Sequence, residues 1–278
     1  MVTAEAYAVC ERLARSHYEN FPVASWLLPA RMRPHIAAIY AFARTADDFA
    51  DEGADTPDAR LAKLDAWRAQ LHGESAHPIF VALKDTIARC GLDVQLCDDL
   101  LSAFRQDVTT TRYATWTDLL DYCRRSANPV GRLVLGVAGY HDENLAKQSD
   151  AVCTALQLVN FWQDIERDWA KGRVYVPADV SGPAGAAEGD LAARRLTPAW
   201  AAALADAAQR TRALFNEGRP VADGVTGRLR WELRATWLGG VRILDRLEAH
   251  DFDVFRHRPT LGAADLPALA WDMVSWRS

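Results

Sequence analysis

A chain of 278 residues, half of them apolar and a quarter charged, is long enough to bury a substantial core. Its formal charge of −5 gives no basic excess to draw it to nucleic acid or, over its whole surface, to anionic lipid, so no nucleic-acid partner is expected. Nor does any uncharged apolar run approach the roughly 20 residues of a membrane-spanning helix.

Helical periodicity dominates, with alanine, leucine, arginine and glutamate abundant and β-branched alternation almost absent, which predicts an all-α protein organised as one domain over 1–278. The first helix is expected over about 3–19. Its sequence carries Glu5 and Glu11 and lacks a basic stretch followed by an apolar block, so no secretory signal is expected. The second covers 31–51, with Pro34 in its first turn, and contains "YAFARTADDFADE", 40–52. Helices follow over 58–72, over 77–90 with Gly91 as the stop, over 94–108, and over 115–139 through "DYCRRSANPVG", 121–131. The next, 146–171, contains most of "QLVNFWQDIERDWAKGRVYVP", 157–177. A glycine- and alanine-rich stretch at 178–190 reads as a flexible surface loop. Helices at 197–218, capped by Thr197 before Pro198, at 224–249 and at 262–275 complete the chain. The last carries "LPALAWDMVSW", which either packs on the bundle or makes a short interfacial contact through Trp271 and Trp276. Five scattered cysteines without a CxxC pair read as reduced thiols of a cytosolic protein.

Two stripes stand out. At about 100° per residue, Tyr40, Arg44, Asp47 and Asp51 fall within roughly 60° of one another on the second helix. Gln157, Asn160, Asp164 and Asp168 fall within roughly 80° on the seventh. A DxxxD spacing alone is common on solvated helix faces. Here both pairs interrupt strongly apolar segments, where carboxylates four residues apart would repel unless something positive lay between them. Magnesium takes carboxylate oxygens together with substrate phosphates, and Arg44 could reach phosphate directly. The pattern predicts a metal-diphosphate site in a helical bundle.

These motifs, with "SHYENF" at 16–21, resemble the head-to-head prenyl synthases, the squalene, dehydrosqualene and phytoene synthases, over nearly the whole chain. The resemblance implies a helical bundle around a central cavity, with Asp47, Asp51, Asp164 and Asp168 as magnesium ligands and Asp48 and Glu52 as acidic neighbours. It places His17, Tyr40, Arg44, Gln157 and Asn160 at the diphosphate end, matches Arg173 and Tyr175 to the family's "RxY" after the second motif, and counts Asn20 among the substrate-binding residues. Tyr122 falls at a cavity tyrosine, with Phe21, Val130 and Leu133 along an apolar tunnel, and Trp162 beside Asn160 could touch the cavity.

Two departures refine this. Gln163 stands where most members have arginine before the second motif, and Ser126 and Asn128 replace apolar or tiny residues. Both resemble the branch of bacterial hopanoid biosynthesis that ionises presqualene diphosphate and quenches the cation with water. Gln163, Ser126 and Asn128 then become candidates to hold that water, and NAD(P)H is not implied. The alternatives are an enzyme joining two prenyl diphosphates such as farnesyl diphosphate, and a non-catalytic assembly protein of the same fold. A water-insoluble product implies a cytoplasmic enzyme working near the inner face of the membrane, alongside upstream and downstream enzymes of the squalene pathway.

Overall fold

The computed structural model describes residues 3–16 and 27–276, and the expected site residues His17, Asn20 and Phe21 lie outside them. Among the described residues the regular elements are helices, with one isolated parallel bridge between Arg112 and Val174. All five cysteines are free thiols, and no described helix is long and apolar enough to cross a membrane. The chain divides into two compact units, one of Met1–Thr110, Arg125–Ala146 and Val225–Glu232, the other of Thr111–Arg124, Lys147–Gly224 and Leu233–Ser278.

In the first unit α1 (Thr3–Ser16), α2 (Arg33–Asp51) and α4 (Pro78–Cys90) pack against one another, while α3 (Pro57–His72) and α5 (Gln95–Thr109) add a second side to α2. Small residues let α2 sit centrally: Ala37, Ala38, Ala41, Ala46 and Ala50 are buried alongside Phe42. Phe42 meets Phe80 edge-on at 6.0 Å, and Trp67 tilts onto Phe80 at 4.4 Å. The proline and glycine punctuation is present, whereas Thr197 precedes Pro198 without a side-chain capping bond, its hydroxyl donating to Asp190 Oδ2 at 3.2 Å instead. Pro34 sits in the first turn of α2, and Gly91 closes α4 in the left-handed region at φ 60°, where a side chain would be strained.

The helix expected over 115–139 is two: α6 (Trp116–Ser126) and α7 (Asn128–Ala138). Pro129 has no N–H to continue the ladder, so the chain restarts with proline in the first turn of α7. The segment expected as 146–171 likewise divides into α8 (Glu143–Gln163) and α9 (Ile165–Ala170). Asp164 interrupts them at φ −106°, ψ 17°. The i to i−4 hydrogen bonds nevertheless carry on through the break, from Asp164 N to Asn160 O at 2.9 Å and from Asp168 N to Asp164 O at 2.8 Å.

Within the second unit, α8 and α12 (Pro198–Gly218) share a core around Trp162, which is fully buried and donates to Thr211 Oγ1 at 3.0 Å. Trp162 is thus a packing residue, stacked on Trp116 at 6.2 Å. α13 (Gly227–Ala249) approaches closely because Gly240 has no Cβ; one there would lie 2.6 Å from both Leu156 and Phe215. The stretch expected as a loop holds two short helices, α10 (Ala178–Ser181) and α11 (Glu188–Ala192). At the end, α14 (Leu266–Ser275) buries none of its residues.

Candidate active site

The first acidic stripe lies in the first unit on α2. Tyr40, Arg44, Asp47 and Asp51 are all half-buried, between turns whose alanines and Phe42 are fully packed. This is the single polar face that the spacing requires. Arg44 meets Asp47 of the stripe at 3.2 Å and the acidic neighbours Asp48 and Glu52 at 2.6 Å each. Burial opposes its charge, yet the three carboxylates outweigh that cost and hold the guanidinium above its ordinary pKa. Burial, joined by the charges of Asp48 and Asp47, also raises the Tyr40 phenol, so it stays protonated. Asp48 and Glu52 therefore enter the site as counter-ions of Arg44. In the same unit the Ser126 Oγ is buried without a hydrogen-bond partner, Asn128 opens α7, and Leu133 is fully buried while Val130 is partly so.

The second stripe lies in the second unit. Leu158, Val159, Phe161, Trp162, Gln163 and Ile165 are buried, whereas Gln157, Asp164 and Asp168 are half-buried and Asn160 is exposed. The polar face is again distinct from the packed ones. After α9 the chain reverses at Gly172, φ 76°, so that Arg173 N donates back to Asp168 O at 2.8 Å. That turn delivers Tyr175, which stacks on Phe161 at 3.8 Å and 8°. Tyr122 and Tyr113 complete this aromatic cluster, each about 6 Å from Tyr175.

Two contacts here have no signal in the motifs. Arg258, 94 residues away in sequence, grips Asp164 with both donors of its fork, Nε to Oδ1 at 2.7 Å and Nη2 to Oδ2 at 3.1 Å. Its neighbour Pro259 accepts a hydrogen bond from Gln163 Nε2 at 2.5 Å. Gln163 is only 9% exposed, and one of its two amide N–H donors is committed to the protein's own backbone. "FRHRPTLG", where both partners lie, is neither periodic nor motif-like, so nothing in the sequence marks it.

The carboxylate oxygens of both stripes are hard donors, the kind that divalent magnesium selects. Among the described residues no three His, Cys, Asp or Glu side chains gather into a metal-holding group. A magnesium ion completed by substrate phosphates and water needs only one or two carboxylates, so the donor set fits that use.

Both stripes and their flanking turns are the signature of one class of helical enzyme. The squalene/phytoene synthase family matches residues 14–265, and the chain belongs to this family of prenyl-diphosphate-processing synthases. Within it, the chain is 41% identical to the hydroxysqualene synthase of Rhodopseudomonas palustris over 84% of its own length and 80% of that protein. It is 45% identical to the hydroxysqualene synthase of Zymomonas mobilis over 71% and 67%. The crystal structure of squalene synthase HpnC from Alicyclobacillus acidocaldarius superposes with a TM-score of 0.84 at 44% identity, over 90% of this chain and 95% of that one.

Proposed function

We propose that this chain acts as a hydroxysqualene synthase in hopanoid biosynthesis, a carbon–oxygen lyase converting presqualene diphosphate and water to hydroxysqualene and diphosphate. The observation that carries the reading is the 41–45% identity to two proteins of that name, in a chain that keeps both acidic stripes on accessible helix faces.

Asp47 and Asp51 on α2 would hold magnesium in the first unit, and Asp164 at the α8–α9 break and Asp168 on α9 would do so in the second. Bound there, magnesium supplies the positive charge that draws electrons to the departing diphosphate. Arg44, already within 3.2 Å of three carboxylates, is placed to turn to phosphate oxygens once those carboxylates have another cation to face. In the second unit, Arg173, Gln157 and Asn160 would serve as phosphate-side donors. The Tyr40 phenol, kept protonated by its surroundings, can donate a hydrogen bond to an anion but not act as a base at neutral pH. The cluster of Tyr122, Phe161 and Tyr175 presents apolar ring surface that withholds water from a carbocation. Ser126, with its buried and unsatisfied hydroxyl, and Asn128 are the groups fitted to hold the one water that must react. That water's oxygen bonds to the rearranged cation and one of its protons passes to the released diphosphate, with no reductant required, so NAD(P)H has no role.

The product is water-insoluble, and α14 offers a face for lipid. Leu266, Trp271 and Val274 are 62%, 71% and 70% exposed, and with Pro267 and Ala270 they span an apolar arc of roughly 140°. The helix's charged Asp272 points inward to Arg242 at 2.8 Å. In this reading the enzyme works in the cytoplasm, with this face resting on the inner side of the membrane.

The deciding experiment offers the purified chain presqualene diphosphate, and separately farnesyl diphosphate, with and without magnesium. Hydroxysqualene should form from the first substrate and require the metal. A hydrocarbon, or presqualene diphosphate made from farnesyl diphosphate, would instead assign carbon–carbon bond formation. No turnover of either would return the chain to the assembly proteins of the fold.

A further inference from the structure

The segment between α13 and α14 touches the second acidic motif through two adjacent residues. Its own anchoring is secure. Phe252 and Val254 are buried, and Phe252 N donates to Leu247 O at 2.8 Å across a tight reversal in which Asp251 and Phe252 both have positive φ. Further along, two consecutive carbonyls are each taken by a side-chain donor from a different helix. Arg246 of α13 donates to Thr260 O, and Gln163 at the end of α8 donates to Pro259 O. The residue before them, Arg258, grips Asp164.

We propose that Gln163 is a positioning residue: by holding the Pro259 carbonyl it fixes Arg258 in its two-point grip on Asp164, and so sets how readily that carboxylate is released to a divalent cation. The reasoning is electrostatic and geometric. Arg258 occupies both oxygens of Asp164, so a cation approaching that carboxylate competes with a guanidinium for the same atoms. A fork makes two parallel bonds only when its backbone is held in register, and Gln163 is the side chain immediately next to Asp164 that supplies this register. Being neutral, Gln163 satisfies the carbonyl without adding a second positive charge beside Arg258. The role differs from water holding: Gln163 acts through Arg258, on the metal-binding carboxylate, from a buried position.

The inference rests on the proposed function only for the nature of the cation. Its test reads the protein without isoprenoid substrate, so its failure and the failure of the catalytic reading are separable. Gln163→Leu removes the donor, Gln163→Glu keeps the shape but turns an acceptor toward the carbonyl, and Gln163→Lys restores a donor. Arg246 still holds Thr260 O, and Phe252 and Val254 remain packed, so the segment stays folded in these variants. Amide exchange over 257–262 should speed up about tenfold or more in the Leu and Glu variants and return toward the parent rate in the Lys variant, since a local opening cost is lost. Binding of Mn2+ with inorganic diphosphate should tighten roughly threefold in the Leu and Glu variants, and by more in Arg258→Met, as competition at Asp164 weakens. Combining Gln163→Leu with Arg258→Met should give no tightening beyond Arg258→Met alone, because one effect runs through the other. Unchanged exchange and Mn2+ binding in Gln163→Leu, or additive effects in the double variant, would overturn the proposal.

Discussion

Asp47 and Asp164 open the two acidic motifs, but their arginines differ in kind. Arg44 shares its charge among Asp47, Asp48 and Glu52, so Asp47 is one of three partners and is 41% exposed. Arg258 is held bidentately by Asp164, with Arg167 3.6 Å from the same carboxylate, and both members of the Arg258 pair are less than a third exposed. The same substitution should therefore have different costs. Asp47→Asn should change unfolding stability by no more than about 0.5 kcal/mol, because Arg44 keeps two carboxylates. Asp164→Asn should cost about 1–3 kcal/mol, since it strips a partly buried guanidinium of its charged acceptor. Turnover should fall by about a hundredfold or more in both, as each removes a carboxylate from the site. Urea unfolding and single-turnover assays on the two variants check this; equal stability losses would mean that Arg258 is satisfied elsewhere.

Element by element, what the sequence makes legible is what local chemistry decides. Pro34, Pro198 and Gly91 punctuate helices where expected, because ring geometry and left-handed backbone need no tertiary context. Both acidic stripes emerge on faces distinct from the packed ones, because burial follows the helical period. Even the break before α7 is visible in hindsight at Pro129. The break at Asp164 is another matter: no glycine or proline marks it, and the contacts gathered there come from Arg258 and Pro259, almost a hundred residues on. No periodic pattern encodes such a meeting. The C-terminal helix divides along the same line. Trp276 is claimed by tertiary partners, edge-on to Trp237 at 5.3 Å, under Arg219 at 4.4 Å, and bonded to Asp223 at 3.2 Å, so it packs. Trp271, on the opposite face, does not. If that face rests on lipid, the full chain should float with vesicles of phosphatidylglycerol and phosphatidylethanolamine, and Trp271→Glu together with Val274→Glu should reduce the bound fraction about tenfold or more, each change replacing apolar contact with a charge. Helicity and Tm should be unchanged, because neither side chain is buried. Equal flotation of parent and variant would assign the apolar face to something other than lipid.

For the whole molecule, acidification sets two effects against each other. A net charge of −5 and an isoelectric point near 5.8 mean that protons added below pH 7 relieve general repulsion, which taken alone would make the fold firmest near the isoelectric point. Individual groups push the other way. Burial lowers the pKa of His35, whose Nδ1 lies 2.9 Å from Thr86 Oγ1 and 3.1 Å from Tyr7 Oη, with Asp85 and Arg89 nearby. Burial also lowers His77, which caps α4 by accepting from Ile79 N at 3.3 Å and meets Trp67 edge-on. Each histidine takes up its proton more readily unfolded, at about pH 6.5, than folded, so stability must fall as the pH drops through 6.5 toward the folded values. The carboxylates act lower down. For Asp98, burial is outweighed by hydrogen bonds from Arg68 and His72; for Asp85, it is outweighed by those from Tyr7 and Arg89. Both have folded pKa values below the ordinary range, so their contribution is complete above about pH 4 and disappears as pH falls through those lowered values. Local linkage acts through desolvation and hydrogen bonds at these particular groups, whereas the general repulsion is spread over a screened surface, so the former should win. The urea midpoint should decline from pH 7.5 to 5.5 instead of peaking near 5.8, then drop more steeply below pH 4. Replacing both histidines, His35→Gln and His77→Asn, should flatten the upper part of that decline and leave the lower part in place. A midpoint that rises to a maximum near the isoelectric point, in parent and double variant alike, would show that net charge governs this fold and that these two partly desolvated imidazoles do not.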